Sequence, residues 1–292
     1  MQRVRTFVAL LRPRDWVKNA LVLAPLLFGA KLLEPTAVGQ ALLAALAYCL
    51  AASAGYIWND FADREGDLRH PVKRLRPLAS GSVAPPQALL LSAALAAGAL
   101  LLAGRVAGGV LACVAASLAL MALYSFWLKR VAIVDVLAIG AFYVLRVIAG
   151  SLAASVPASD WLLVATALVA IFLGLCKRRH ELLLLGDDAA NHRVALGRYG
   201  SRFLDAAISL TTSTTLIAYL LYAVAPETVA KFGPRGMLIG APFVFYGLLR
   251  YLHLVYTEGR GGSPTELVAT DRGVLGAAIG FAIAAGFVIY GR

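Results

Sequence analysis

The sequence predicts an all-α polytopic membrane protein with nine spans, and three observations carry that reading. Hydrophobic residues make up 60% of the 292, and the mean hydropathy of +0.78 lies outside the soluble range. Apolar runs of about 17 to 22 residues recur along the chain, each long enough to cross a hydrocarbon core ~30 Å thick as a helix. The Lys and Arg residues gather in alternate connections, the charge pattern of a multi-pass chain among membrane lipids.

In chain order, a basic arm from Met1 to Asn19 leads into the first span at about 17–33; no small-residue cleavage site follows, so the segment is expected to stay. The second span, about 40–58, ends at Trp58 and opens onto a polar connection from Asn59 to Pro85. The third and fourth, about 86–104 and 107–127, meet near Gly104, Gly108 and Gly109, small residues that permit close helix approach within a protomer or in a homo-oligomer. The fifth, about 131–152, follows Lys129 and Arg130 and carries Arg146 inside its apolar run. The sixth, about 160–177, gives way to a second long polar connection, Lys177 to Arg202. The seventh and eighth are expected at about 204–224 and 236–256; after a shorter connection from Thr257 to Arg272, the ninth closes the chain at about 273–290. No room is left for a separate soluble domain, so residues 1–292 are expected to form one transmembrane domain.

An odd number of spans puts the termini on opposite sides. Of the 27 Lys and Arg, only Lys31, Arg105, Lys231, Arg235 and Arg292 fall with the short connections, while Arg146 and Arg250 lie inside spans. The long connections and the N-terminus are therefore expected on the cytoplasmic side of the plasma membrane, and the C-terminus outside. This accounts for the net charge of +11 without nucleic acid, since no basic stretch is interleaved with aromatics outside the spans. Cys49, Cys113 and Cys176 lack CxxC spacing and lie in or beside apolar runs, which fits small buried hydrophobes.

The chemistry concentrates after the second span. If its helix continues, Asn59, Asp63 and Asp67 fall at i, i+4 and i+8 on one face, with Asp60 beside them. Like charges at that spacing repel, and a cation resolves the repulsion. Oxygen ligands without His or Cys suit Mg²⁺, which completes its octahedron with water and substrate phosphate oxygens. Lys73, Arg74 and Arg76 follow within a few residues, so metal-binding carboxylates stand beside donors for the anion that the metal carries.

The order N-D-x-x-D-x-x-x-D over Asn59–Asp67, then R-P-L-A-S-G from Arg76, resembles the UbiA-type prenyltransferase superfamily. The run Arg12-Pro13-Arg14-Asp15-Trp16-Val17-Lys18-Asn19 and the run Tyr124-Ser125-Phe126-Trp127-Leu128-Lys129-Arg130 share in the resemblance, which covers essentially the whole chain. It implies nine transmembrane helices around a central cavity open to the cytoplasm, with acidic motifs after the second and sixth helices. Ordinary members carry a second D-x-x-x-D, where this chain has Lys177-Arg178-Arg179-His180-Glu181-Leu182, followed by Asp187 and Asp188. That basic form is similar to the decaprenyl-phosphate phosphoribosyltransferase branch. So are His70-Pro71 through Pro77, Tyr143 through Gly150, and Pro264-Thr265-Glu266 with Asp271-Arg272.

The branch implies transfer of 5-phosphoribose from phosphoribosyl diphosphate to a polyprenyl phosphate, with release of diphosphate, in the supply of cell-envelope sugar donors. Asp63 and Asp67, with Asn59 or Asp60, are expected to hold Mg²⁺, and Lys73 and Arg76 to act on the leaving group. Lys18, Asn59, Arg74, Tyr124, Lys129, Tyr143, Arg146, Lys177, Arg178 and Glu181 are expected to bind substrate. Arg14 and Arg179 are assigned to topology, and His70 and His180 to local hydrogen bonding. Arg146 should face a cavity or a partner, with a role separate from that of Asp135. Two rivals stand beside this reading. A prenyltransferase acting on an aromatic or glycerol acceptor predicts a second carboxylate pair at Lys177–Glu181, which the sequence disfavours, and a secondary transporter predicts ionisable residues near mid-membrane, whereas almost all of them here cluster at one face.

Overall fold

The computed structural model describes residues 2–69, 72–185 and 195–291. His70, Asp187 and Asp188 lie outside the described residues. Among those described, the secondary structure is helical throughout. Among the described residues, eight helices are long and apolar enough to cross a membrane. The chain divides into two compact units; of the described residues, the first holds those up to Ala158 with 195–198, and the second holds 159–185 and those from Tyr199 onward.

In the first unit, helix α1 (Gln2–Leu11) precedes a 3₁₀ stretch, Pro13–Leu23, and a short helix α2 (Ala24–Phe28). The stretch expected as the first span is thus broken. Pro25 has no amide hydrogen to give to the carbonyl four residues back, so no continuous α-helix runs through it. The chain then reverses at Gly29 and Ala30, and Ala30 takes a positive φ of 57°. The second expected span is α3 (Pro35–Ala62). After it come α4 (Arg64–Arg69), α5 (Pro85–Val106), α6 (Gly108–Phe126) and α7 (Val134–Ala153).

Helix α3 is central and touches α1, the 3₁₀ stretch, α5, α6 and α7. Its buried face is a seam of small residues, Ala37, Ala41, Ala44, Ala47, Ala51 and Ala54, which lets neighbouring backbones approach closely. Gly55 extends the seam: a Cβ there would lie 1.8 Å from Met121 Sδ. Such packing suits lipid, where van der Waals fit rather than hydrophobic exclusion joins helices. The outward faces stay apolar, with Leu90 74% and Leu101 71% exposed. The 28 residues of α3 make it ~42 Å long at 1.5 Å per residue, more than a hydrocarbon core ~30 Å thick requires. Its last turn carries the polar Asn59 and Asp60.

The second unit holds α8 (Asp160–Leu185), α9 (Ser201–Val224), α10 (Pro226–Phe232), α11 (Ala241–Tyr256), α12 (Pro264–Thr270) and α13 (Arg272–Tyr290). Helix α8 packs along α9, and α11 packs along α13. The Thr211, Thr212, Thr214 and Thr215 hydroxyls of α9 donate to carbonyls one turn back, which satisfies them inside an apolar span. Helix α8, at 26 residues, carries Lys177–Glu181 in its final turns.

Candidate active site

The first-loop motif is built on the end of α3 and on α4. Asp63 sits at the junction with φ −97° and ψ 3°, yet the amides of Asp63 and Asp67 still bond to the carbonyls of Asn59 and Asp63 at 2.9 and 2.8 Å. The bend at Asp63 splits the expected single face into two charge clusters. In one, Lys129 Nζ lies 2.5 Å from Asp63 Oδ1 and donates to Asn59 Oδ1 at 3.2 Å, and Asn59 Nδ2 donates to Asp63 Oδ2 at 3.1 Å. In the other, Arg76 Nη1 donates to Asp60 Oδ1 at 3.0 Å and to Asp67 Oδ2 at 2.7 Å, while Arg12 Nη2 meets the same Asp60 oxygen at 2.5 Å. Asp60, Asp67 and Lys129 are buried. Burial pushes the Asp67 carboxyl above the usual carboxylate range, and the Arg76 guanidinium pulls it partly back.

Asp60, Asp63 and Asp67 thus each meet a side-chain cation. Among the described residues, no group of three or more His, Cys, Asp or Glu side chains is arranged to hold a metal ion. The donor chemistry nonetheless fits a hard divalent ion: Lys129 places a positive charge between Asn59 Oδ1 and Asp63 Oδ1, oxygens of the type Mg²⁺ takes.

The other residues singled out in this unit are distributed as follows. Lys73 and Arg74 form a single 3₁₀ turn, Lys73–Leu75, with Arg74 exposed and the positive charge of Lys73 felt at Asp67. Lys18 pairs with Asp15 at 2.6 Å. Tyr124 packs edge-on against Phe142. Arg146 is buried in α7, donates to Asn19 and to the Phe142 carbonyl, and lies over the rings of Tyr48 and Tyr143 at 5.4 and 5.5 Å. Its hydrogen bonds do not go to Asp135, which is buried in the first turn of the same helix.

The second motif belongs to the other unit. Arg178 is 1% exposed and pairs with Glu181 one turn on. Lys177 is half-buried beside them. Arg179 is held to Asp205 at 2.6 Å and stacks on Tyr256, whose hydroxyl donates to the same carboxylate at 2.9 Å. It therefore ties α8 to α9 and α11. His180 Nδ1 lies 2.8 Å from the Gly259 carbonyl.

Residues 21–264 match the UbiA prenyltransferase family. The chain belongs to that family. Decaprenyl-phosphate phosphoribosyltransferase of Mycolicibacterium smegmatis is 31% identical to it, over 95% of this chain and 93% of that one. The protein of the same name from Corynebacterium glutamicum is 33% identical over 90% and 80%, and that from Mycobacterium tuberculosis 33% over 91% and 88%. Among solved structures, a UbiA homolog from Archaeoglobus fulgidus bound to DMAPP and Mg²⁺ superposes with a TM-score of 0.73 at 18% identity, over 97% of this chain and 99% of that one. At that identity the likeness concerns the UbiA fold, a multi-pass helical membrane fold.

Sequence reasoning assigned no role to Arg12 or Asn19. Each finds its partner only through space, Asp60 being 48 positions from Arg12 and Arg146 127 positions from Asn19. The one local signal was Arg12 standing before a proline in the motif that opens the first segment.

Proposed function

We propose that this UbiA-family member transfers 5-phosphoribose from phosphoribosyl diphosphate to a polyprenyl phosphate of the decaprenyl type, releasing diphosphate. The observation that carries this reading is the near full-length similarity to three decaprenyl-phosphate phosphoribosyltransferases, joined to the basic Lys177–Glu181 motif. An enzyme using a prenyl diphosphate as donor would call for a second carboxylate pair there.

The reaction needs no protein nucleophile. The bond from ribosyl C1 to the diphosphate oxygen breaks, C1 becomes oxocarbenium-like, and an ionised oxygen of the acceptor phosphate forms the new C1–O bond. Diphosphate leaves with the bonding electron pair. Asn59, Asp63 and Asp67 would hold Mg²⁺, which neutralises leaving-group charge when bound. Lys129, which lies against Asp63, is the cation that would donate to a phosphate oxygen of the substrate. Lys73 and Arg76 place fixed positive charge where the leaving group gains negative charge, and such preorganised stabilisation supplies the larger part of the acceleration. Arg74, Lys18, Tyr124, Tyr143 and Arg146, with Lys177, Arg178 and Glu181 of the second motif, are assigned to substrate binding. The long connections and the N-terminus face the cytoplasm, where a soluble sugar diphosphate meets a lipid phosphate.

The test incubates purified full-length protein with phosphoribosyl diphosphate, Mg²⁺ and a polyprenyl phosphate, and follows diphosphate release together with a new phosphoribosyl lipid. No product under these conditions, with turnover of a prenyl diphosphate and an aromatic acceptor, overturns the proposal.

A further inference from the structure

Two guanidinium groups converge on one buried oxygen in the first unit. Arg12 Nη2 and Arg76 Nη1 both meet Asp60 Oδ1, at 2.5 and 3.0 Å, and Asp60 is 2% exposed. The two arginine side chains are 23% and 24% exposed, so their outer faces reach solvent while the anchoring carboxylate does not. Each uses a single nitrogen for its ion pairs; the remaining N–H groups of Arg12 and Arg76 take no partner among the described residues. A guanidinium presents five donors in a rigid fork matched to phosphate oxygens. Two adjacent forks with spare donors are built for more anionic oxygen than Asp60 supplies.

The backbone at Arg12 gives a second, independent indication. Its φ of 50° and ψ of 58° are left-handed, uncommon for a residue other than glycine, and Pro13 follows, which biases the preceding residue toward extended conformations. The conformation is held by several contacts at once. Asp15 N–H donates to the Arg12 carbonyl at 2.9 Å, Ser53 Oγ donates to the Leu11 carbonyl at 2.9 Å, and the Arg12 guanidinium lies 5.1 Å from the Tyr56 ring centroid. Over-determined strain of this kind gathers at ligand clamps. Its effect here is to carry Arg12, which precedes the 3₁₀ stretch, onto the end of α3.

We propose that Arg12 and Arg76 form a guanidinium clamp for the diphosphate of the soluble donor, and that Asp60 is the positioning residue that holds the two forks side by side. This rests on the functional reading above. It assigns Arg12 to substrate binding and takes Asp60 out of the metal-ligand set. The donor is the occupant because Arg76 also contacts Asp67, so an anion on the clamp lies beside the carboxylates expected to carry its metal.

Binding of inorganic diphosphate to the full-length protein in detergent, followed by titration calorimetry with Mg²⁺ and again in EDTA, tests this. The wild type is expected to keep measurable affinity in EDTA, because the clamp needs no metal. Arg12→Ala and Asp60→Asn are each expected to weaken binding about tenfold in both conditions, as loss of a charge-assisted contact implies. Asp63→Asn should remove only the Mg²⁺-dependent part. Arg12→Lys, which keeps the charge but not the fork, should fall between Arg12→Ala and wild type, and it serves if Arg12→Ala does not fold. Wild-type affinity in both Arg12→Lys and Asp60→Asn overturns the clamp, as does an Asp60→Asn loss confined to Mg²⁺. In turnover, the Michaelis constant for phosphoribosyl diphosphate should rise in Arg12→Lys while that for the polyprenyl phosphate stays unchanged. Arg12-dependent diphosphate binding without phosphoribosyl transfer leaves the clamp standing and removes the functional reading; transfer with unaltered donor constants does the reverse.

Discussion

Arg146, 5% exposed inside α7, donates from Nε to Asn19 Oδ1 at 2.8 Å. Asn19 in turn donates from Nδ2 to Cys49 Sγ at 3.3 Å, so one amide ties the 3₁₀ stretch to α7 and to α3. Within a span an uncompensated cation is costly, and here compensation comes from an amide, the Phe142 carbonyl and two tyrosine rings. Asn19→Leu leaves the Arg146 Nε–H unpaired and is expected to destabilise the fold by about 1–3 kcal/mol. The readout is a lower thermal midpoint in detergent, and the double variant Asn19→Leu with Arg146→Met should recover part of it. An unchanged midpoint in the single variant contradicts the arrangement.

Lys129 sits against Asp63 and Asn59, the oxygens expected to take the metal. Lys129→Met removes the competing charge, so half-maximal activity should need less Mg²⁺, while maximal turnover falls because phosphate loses a cation. Asp63→Asn should lower turnover on the order of 100-fold, the scale seen when one preorganised electrostatic group is lost. Both follow from one Mg²⁺ titration of phosphoribosyl transfer. A Lys129→Met enzyme needing more Mg²⁺ than wild type contradicts competition between lysine and metal.

The sequence makes the spans legible because lipid imposes length and apolarity on each one, and both are local properties. The eight candidate spans correspond to the second through ninth expected. The 17–33 segment was not legible in the same way: its apolarity is that of a span, but Pro25 decides its backbone. At the site, helical periodicity brought Asn59 and Asp63 together, with Nδ2 and Oδ2 at 3.1 Å. It placed Asp67 on the same face, whereas the bend at Asp63 sends Asp67 to Arg76 and Asp60. The cation met by each carboxylate comes from another element, and no spacing rule reaches from Asp60 to Arg12 or from Asp63 to Lys129.

Close backbone approach gives a test of the packing. A Cβ at Gly150 would lie 2.0 Å from the Val22 carbonyl oxygen, a backbone atom that cannot swing aside, whereas one at Gly39 meets nothing within 4 Å. Gly150→Ala is expected to cost about 1–3 kcal/mol or more through forced separation of α7 from the 3₁₀ stretch. Gly39→Ala should be neutral or slightly stabilising, since alanine is the better helix former. Thermal midpoints of the two variants should therefore move apart, and equal midpoints contradict the contact.

The pH dependence of stability should carry the signature of Asp271. Its carboxylate accepts from Arg250 Nη2 at 2.8 Å and Nε at 3.2 Å and caps α13 through the Val274 amide at 2.9 Å. Arg250 foremost, then the Val274 amide, hold the carboxyl down at about 2 from an ordinary value of 3.8. Because the folded value is the lower one, protonation favours the unfolded chain. The contribution is fully present above the unfolded value and is lost as pH falls through it toward 2. Asp271→Asn keeps a capping oxygen but loses the charge, so its deficit in thermal midpoint should be constant from pH 7 to 5 and should shrink as pH drops below about 4. A deficit that persists unchanged at pH 3 would mean that the Arg250–Asp271 ion pair is not its source.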